Sequence, residues 1–183
     1  MICWFAADQL WEYDVDKENE FISLISESLY VLGYPLFFLF TIFYLKPRKR
    51  LLTKKIILLS LGISIILVIP SIYISLGLED EGLQLAGVFY TISFPILDGI
   101  ILVPAIIGMT LFFRGQVNLL WFSLMFGILL QVIGDTLYLG SFIDDSFYPG
   151  HISDIFYVLS YLLIAFGIYS HLKLFRIENV PNK

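Results

Sequence analysis

Apolar residues run almost without interruption over 26–45, 55–76, 84–113, 117–139 and 152–175. About 20 such residues cross the roughly 30 Å of hydrocarbon in a bilayer, so each run predicts a transmembrane helix. A sixth run, MICWFAADQLWEY at 1–13, is too short to cross. The polar positions collect in the connections. KPRKRLLTKK (46–55) holds six of the eleven Lys and Arg residues, Arg114 lies between the fourth and fifth runs counting the short one, and Lys173, Arg176 and Lys183 end the chain. Ten of the eleven basic residues thus fall on one side, which the positive-inside rule makes cytoplasmic. DVDKENE, LEDEG and DDSFYPGH, the other connections, are acidic and lie outside. The predicted fold is an all-α integral membrane bundle of helical hairpins, five full spans and a partial N-terminal one, in a single domain over 1–183 with a cytoplasmic tail at 176–183.

Composition agrees with that class. The chain is 58% hydrophobic and 17% aromatic, only 15% charged, with a mean hydropathy of +0.86. A soluble domain of 183 residues would leave much of that apolar surface exposed. No basic stripe tracks a phosphate backbone, which excludes nucleic acid as a partner and leaves the lipid bilayer as the first one. The single cysteine, Cys3, excludes an internal disulfide and a Cys-based metal site. The acidic N-terminal flank does not read as a signal peptide.

The chain also repeats itself. Residues 2–46 align without a gap on 129–173, with eleven identities. The polar matches carry the most weight: Asp8 with Asp135, Ser26 with Ser153, Tyr30 with Tyr157, Tyr34 with Tyr161, and Lys46 with Lys173. Trp11 with Tyr138 and Glu27 with Asp154 match in kind. A weaker third copy, YTISFPILD (90–98) against YVLGYPLFF (30–38), lies between. Three related hairpins in parallel orientation are the expectation. The run at 117–139 has about 18 residues before Asp135, the first run only seven before Asp8. The first helix therefore either lacks upstream sequence or is a half-helix packed inside the bundle.

The repeated acids and phenols are the candidate chemistry. Each hairpin leaves the membrane after its Asp and re-enters, so Tyr30 is placed to donate to Asp8, and Tyr157 to Asp135, since a carboxylate in lipid needs a donor. Tyr30 and Tyr34, like Tyr157 and Tyr161, are four apart and face the same way. The plain alternative is an interfacial aromatic belt. Ser26 and Ser153 are expected N-caps, with Glu27 and Asp154 at positive helix ends. Asp98 stands apart as the one charge in 84–113, near the midpoint. Thr91, Phe94 and Pro95 share its face, and Pro95 frees the Thr91 carbonyl. That makes a mid-depth ligand site or, equally, a structural helix clamp. The stripe Ser123, Gly127, Gln131 reads first as a helix interface. His151 and His171 are about 30 Å apart along one helix and cannot share a metal. His151 with Asp144, Asp145 and Asp154 reads as a solvated acidic loop. No metal or cofactor is assigned, and no nucleophile–base pair or nucleotide motif points to an enzyme.

ESLYVLGYPL, SFPILDGIILVPAIIG, GDTLYL and YPGHISDIFYVLSYLLIAFG resemble the multi-helix membrane modules that precede PAS, histidine-kinase or diguanylate-cyclase domains in bacterial and archaeal signalling proteins. The resemblance covers about 26–175 and rests on [YF]-P-x-x-D, G-D-x-x-Y and G-H-x-x-D. It implies a sensor of seven- or eight-helix type in a stand-alone form. Only RIENVPNK follows the last helix, so signalling would pass to a separate cytoplasmic protein or membrane subunits. The expected ligand, a small molecule, proton or lipid, would sit among Asp98, Thr91, Asp135, Tyr138, Asp154, Tyr157, Tyr161, Asp8, Tyr30 and Tyr34. A small transporter or channel and a non-catalytic subunit of a membrane complex are the alternative readings.

Overall fold

The apolar runs fold as helices whose ends are set by polar residues. In the computed structural model of the chain, which describes residues 2–14, 19–77, 85–113, 117–144, 146–148 and 150–178, the elements are α1 (Ile2–Asp14), α2 (Glu20–Leu45), a 3-10 turn (Lys46–Leu51), α3 (Lys54–Gly77), α4 (Leu85–Phe112), α5 (Asn118–Ile143) and α6 (Ile152–Glu178). The acidic connection around 78–84, Arg114, Asp145, most of the first acidic connection and the tail from 179 lie outside the described residues, as does the Thr91 side chain.

Two helix caps differ from the sequence reading. α2 begins six residues before Ser26, because the Asn19 side chain accepts from the Phe21 N–H and the Asp14 carboxylate holds the Asn19 N–H at 2.9 Å. Ser26 is an interior residue that donates to the Ser23 carbonyl. At α6 the cap belongs to His151, whose Nδ1 accepts from the Ser153 N–H, after a turn in which Gly150 takes φ +88°. Prolines 35, 70, 95 and 104 lie inside helices. Neighbouring helices make that tolerable where water is absent.

Each helix packs on its sequence neighbour, giving hairpins α1–α2, α3–α4 and α5–α6. α4 is the hub: besides α3 it touches α2 and α5, and α3 also reaches α5. The stripe Ser123–Gly127 is an interface, as its small residues suggest. A Cβ on Gly127 would come within 2.5 Å of Ile164, and one on Gly167 within 2.7 Å of Ser123. The outside carries the apolar residues a soluble protein would hide, among them Phe43, Leu58, Ile66 and Tyr169, all well over half exposed. Among the described residues the fold is all-helical, and five of the helices are long and apolar enough to cross a membrane, which is compatible with a multi-pass membrane protein.

Candidate functional site

Three phenol–carboxyl hydrogen bonds converge inside this bundle. Tyr30 Oη donates to Asp8 Oδ1 at 2.5 Å and Tyr157 Oη to Asp135 Oδ1 at 2.7 Å. These are the two bonds expected across hairpins α1–α2 and α5–α6. Tyr34 does something the repeat does not suggest. Its hydroxyl crosses to α4 and donates to Asp98 Oδ1 at 3.0 Å. Although Tyr30 and Tyr34 share a face of α2, that face looks into the cleft between α1 and α4, so the two phenols serve different acids.

The acids themselves come together. Asp98 lies fourteen residues from the end of α4 and Asp135 seventeen from the start of α5. At 1.5 Å per residue they sit within about 5 Å of one depth. Their carboxyl groups are within hydrogen-bonding reach of each other. Asp98 is fully buried, and one oxygen of each acid, Oδ2, meets no donor among the described residues. The sequence reading had set Asp98 at mid-depth and Asp135 near the outer helix end; the register of α4 on α5 merges the two places.

Around this pair the neighbours are phenols and another acid. Tyr161, 9% exposed, points its hydroxyl toward Asp8 without completing a hydrogen bond of good geometry, and its ring meets Phe5 edge-on. Tyr138 lies farther out, its ring against Trp11 and Phe147. Asp154 stands at the start of α6, where its carboxylate accepts from the Gly150 N–H at 2.8 Å, so its immediate work is holding the turn. Seven of the expected residues, Asp8, Tyr30, Tyr34, Asp98, Asp135, Tyr157 and Tyr161, thus form one cluster, with Tyr138 at its rim and Asp154 at the adjoining helix start.

Packing holds the cluster tightly. A Cβ on Gly134 would come 2.9 Å from the Tyr157 ring, so glycine lets that ring approach the α5 backbone closely. The Trp4 indole donates to the Tyr30 carbonyl at 3.0 Å and fills the space over Gly33, where a Cβ would approach it to 2.2 Å. A cleft of about 380 Å³ opens elsewhere, between Ile106, Met109, Thr110, Phe113 and Met125, and no candidate residue lines it.

The other end of the bundle, near the basic 3-10 turn, holds a second polar contact. Tyr44 Oη meets His171 Nε2 at 3.0 Å. Phe112 and Trp121 stack beside them with parallel rings 5.7 Å apart, and the Arg48 guanidinium covers Phe112. His151 and His171 have their partners at opposite ends of the bundle, as their spacing requires. Tyr44 and His171 lie 127 residues apart, as do Trp11 and Tyr138, which is the offset at which the sequence aligns on itself.

The chain matches no protein-family model, and no curated protein or solved structure is significantly similar to it.

Proposed function

We propose that this chain is a sensory or receptor-like membrane module whose ligand site is the buried acid–phenol cluster. The observation that carries the reading is the Asp98–Asp135 pair: two carboxyls from the hub helix and its neighbour, tied by phenols to α2 and α6, each with an oxygen that meets no donor among the described residues. Satisfying those oxygens changes how α4 and α5 attract each other, and α4 touches three other helices, so a small event there moves the bundle. The module is non-catalytic in this reading. The resemblance to membrane modules of signalling proteins points the same way, with output through a separate partner at the basic end.

The hairpins behave as copies in this proposal. Aligned residues touch at both ends of the bundle, Trp11 on Tyr138 and Tyr44 on His171, as residues close to a shared axis would. The basic segment 46–55 and Lys173 are taken to face the cytoplasm of a cell membrane, within reach of anionic lipid or the partner.

The test is an Asp98→Asn chain in lipid nanodiscs, with label pairs reporting the separation of α4 and α5. The variant inserts normally and loses or shifts the spacing change that pH or a ligand produces in the parent. A variant that moves exactly as its parent, with unchanged stability, removes the site. Carboxyls in the middle of an apolar bundle also suit a small transporter. Ion or solute flux in proteoliposomes that stops in Asp98→Asn selects that reading over a pure sensor.

A further inference from the structure

The nature of the ligand follows from what the cluster lacks. Asp98 and Asp135 are both acceptors when ionised, and two carboxylates cannot hydrogen-bond. Yet the two groups approach within hydrogen-bonding reach, and each keeps one oxygen with no donor. The groups that face them are Tyr30 and Tyr34 from α2, Tyr138 beside Asp135 on α5, Tyr157 and Tyr161 from α6, and Asp8 from α1; α3 meets α5 through the Ser71 hydroxyl on Thr136. No lysine or arginine figures among these described neighbours. Tyr34 and Tyr157 already spend their protons on the Oδ1 atoms. The missing element is one hydrogen between two oxygens.

An organic ligand does not fit that description. Asp98 is fully buried, Tyr34 is closed over it, and the Tyr157 ring lies on Gly134 with no room for a Cβ. A hard metal cation asks for about six oxygens, and no group of three or more acidic, His or Cys side chains able to hold one occurs among the described residues. Tyr161, nine-tenths buried with its hydroxyl aimed into the same cluster and short of a good hydrogen bond, adds a further unsatisfied group.

We infer that Asp98 and Asp135 form a proton-binding site, holding a single hydrogen ion as a short hydrogen bond between their carboxyl groups. The inference rests on the reading of the cluster as the ligand site and names its ligand. With the proton bound, one O–H bond satisfies both acids and the pair carries one negative charge. When the proton leaves to water, two like charges face each other in an apolar core, and α4 and α5 are pushed apart. Tyr34 and Tyr157 tune the site by stabilising the remaining charge.

Infrared spectroscopy of the full chain in lipid nanodiscs tests this, with the proton itself as the probe. At neutral pH the parent shows a protonated-carboxyl C=O band that shifts in heavy water. The band is lost in the Asp98→Asn/Asp135→Asn double variant and kept in Asp8→Asn. An absent band in the parent, or one that persists in the double variant, overturns the site. Should the double variant fail to fold, Tyr34→Phe and Tyr157→Phe each move the band of an otherwise intact pair; a band that moves in neither also overturns it. A band that behaves as expected while the α4–α5 spacing stays fixed from acid to alkaline pH upholds the proton site and defeats the receptor reading alone.

Discussion

Hairpins α1–α2 and α5–α6 carry the same device, an aspartate held by a tyrosine 22 residues later, and place it in different surroundings. In the first hairpin the device is backed by Trp4, 1% exposed, whose indole closes on the Tyr30 carbonyl and packs on Tyr34 and Phe37. In the second, the aligned position is Gln131, 4% exposed, whose Oε1 meets no donor. Gly134 lies against the Tyr157 ring, and the aligned position in the first hairpin is the buried Ala7. Asp8 faces the Tyr161 hydroxyl; Asp135 faces Asp98. The first hairpin is thus finished with packing, and the second keeps its polar groups short of partners. The comparison teaches that one local hydrogen bond serves as a clamp where its neighbours are apolar and as part of a titratable site where they are not.

The sharpest way to break the contrast is Trp4→Ala. Removing a buried indole leaves a cavity and takes away its bond to the Tyr30 carbonyl, and should cost about 3 kcal/mol, read as unfolding free energy in mixed micelles. A cost below about 1 kcal/mol would mean that the first hairpin is not held by packing. Next is Gly134→Ala, which makes the second hairpin resemble the first. The added methyl meets the Tyr157 ring at 2.9 Å, and overpacking of that kind costs about 1–3 kcal/mol. Ala7→Gly, the reverse exchange in α1, should cost only about 0.5–1 kcal/mol. Equal costs would erase the distinction between the two sites.

Removing the phenol hydroxyls separates the hairpins more finely. Hydrogen bonds between helices in lipid are worth on average about 0.6 kcal/mol, and about 1–2 kcal/mol in the stronger cases. Tyr157→Phe takes the donor from an acid that already lacks one at its other oxygen, so it belongs to the upper range. Tyr30→Phe takes a donor from Asp8, toward which the Tyr161 hydroxyl also points, and belongs near the average. Thermal melts of the two variants side by side check the order. A larger loss in Tyr30→Phe contradicts the placing of the sensitive acid on α5.

How much of this was legible beforehand depends on whether a feature lives along one helix or between two. The spans were readable because the length of an apolar run is a one-dimensional property, and the described ends of α3, α4 and α6 lie close to those runs. The Asp8–Tyr30 and Asp135–Tyr157 bonds were readable because a hairpin fixes which residues come back to the same depth. Ser26 misled as a cap because the hydrophobic run starts there, whereas the helix starts where Asn19 offers a side-chain acceptor. The bond from Tyr34 to Asp98, and the meeting of Asp98 with Asp135, depend on the rotation and register of α4 between α2 and α5. Nothing in the sequence of one helix encodes that directly. The closest signal was that Asp98 was the only charge in its run and had to find a partner somewhere.

The smallest expected effect falls on the residue that most distinguishes the second hairpin. Gln131 is buried one turn from Asp135, and its Oε1 meets no donor. Leaving a buried acceptor unmade costs free energy in the folded state, so replacing the amide with an apolar side chain of similar size removes a cost together with any bond its nitrogen makes. Gln131→Leu should therefore change the unfolding free energy by less than about 0.5 kcal/mol, or raise it slightly. The same change to an apolar neighbour lowers the local polarity beside Asp135 and should shift the carboxyl band of the Asp98–Asp135 pair while leaving the fold alone. A loss of stability as large as that of Trp4→Ala would show that Gln131, like Trp4, is a packing anchor, and the two hairpins would then differ in composition but not in kind.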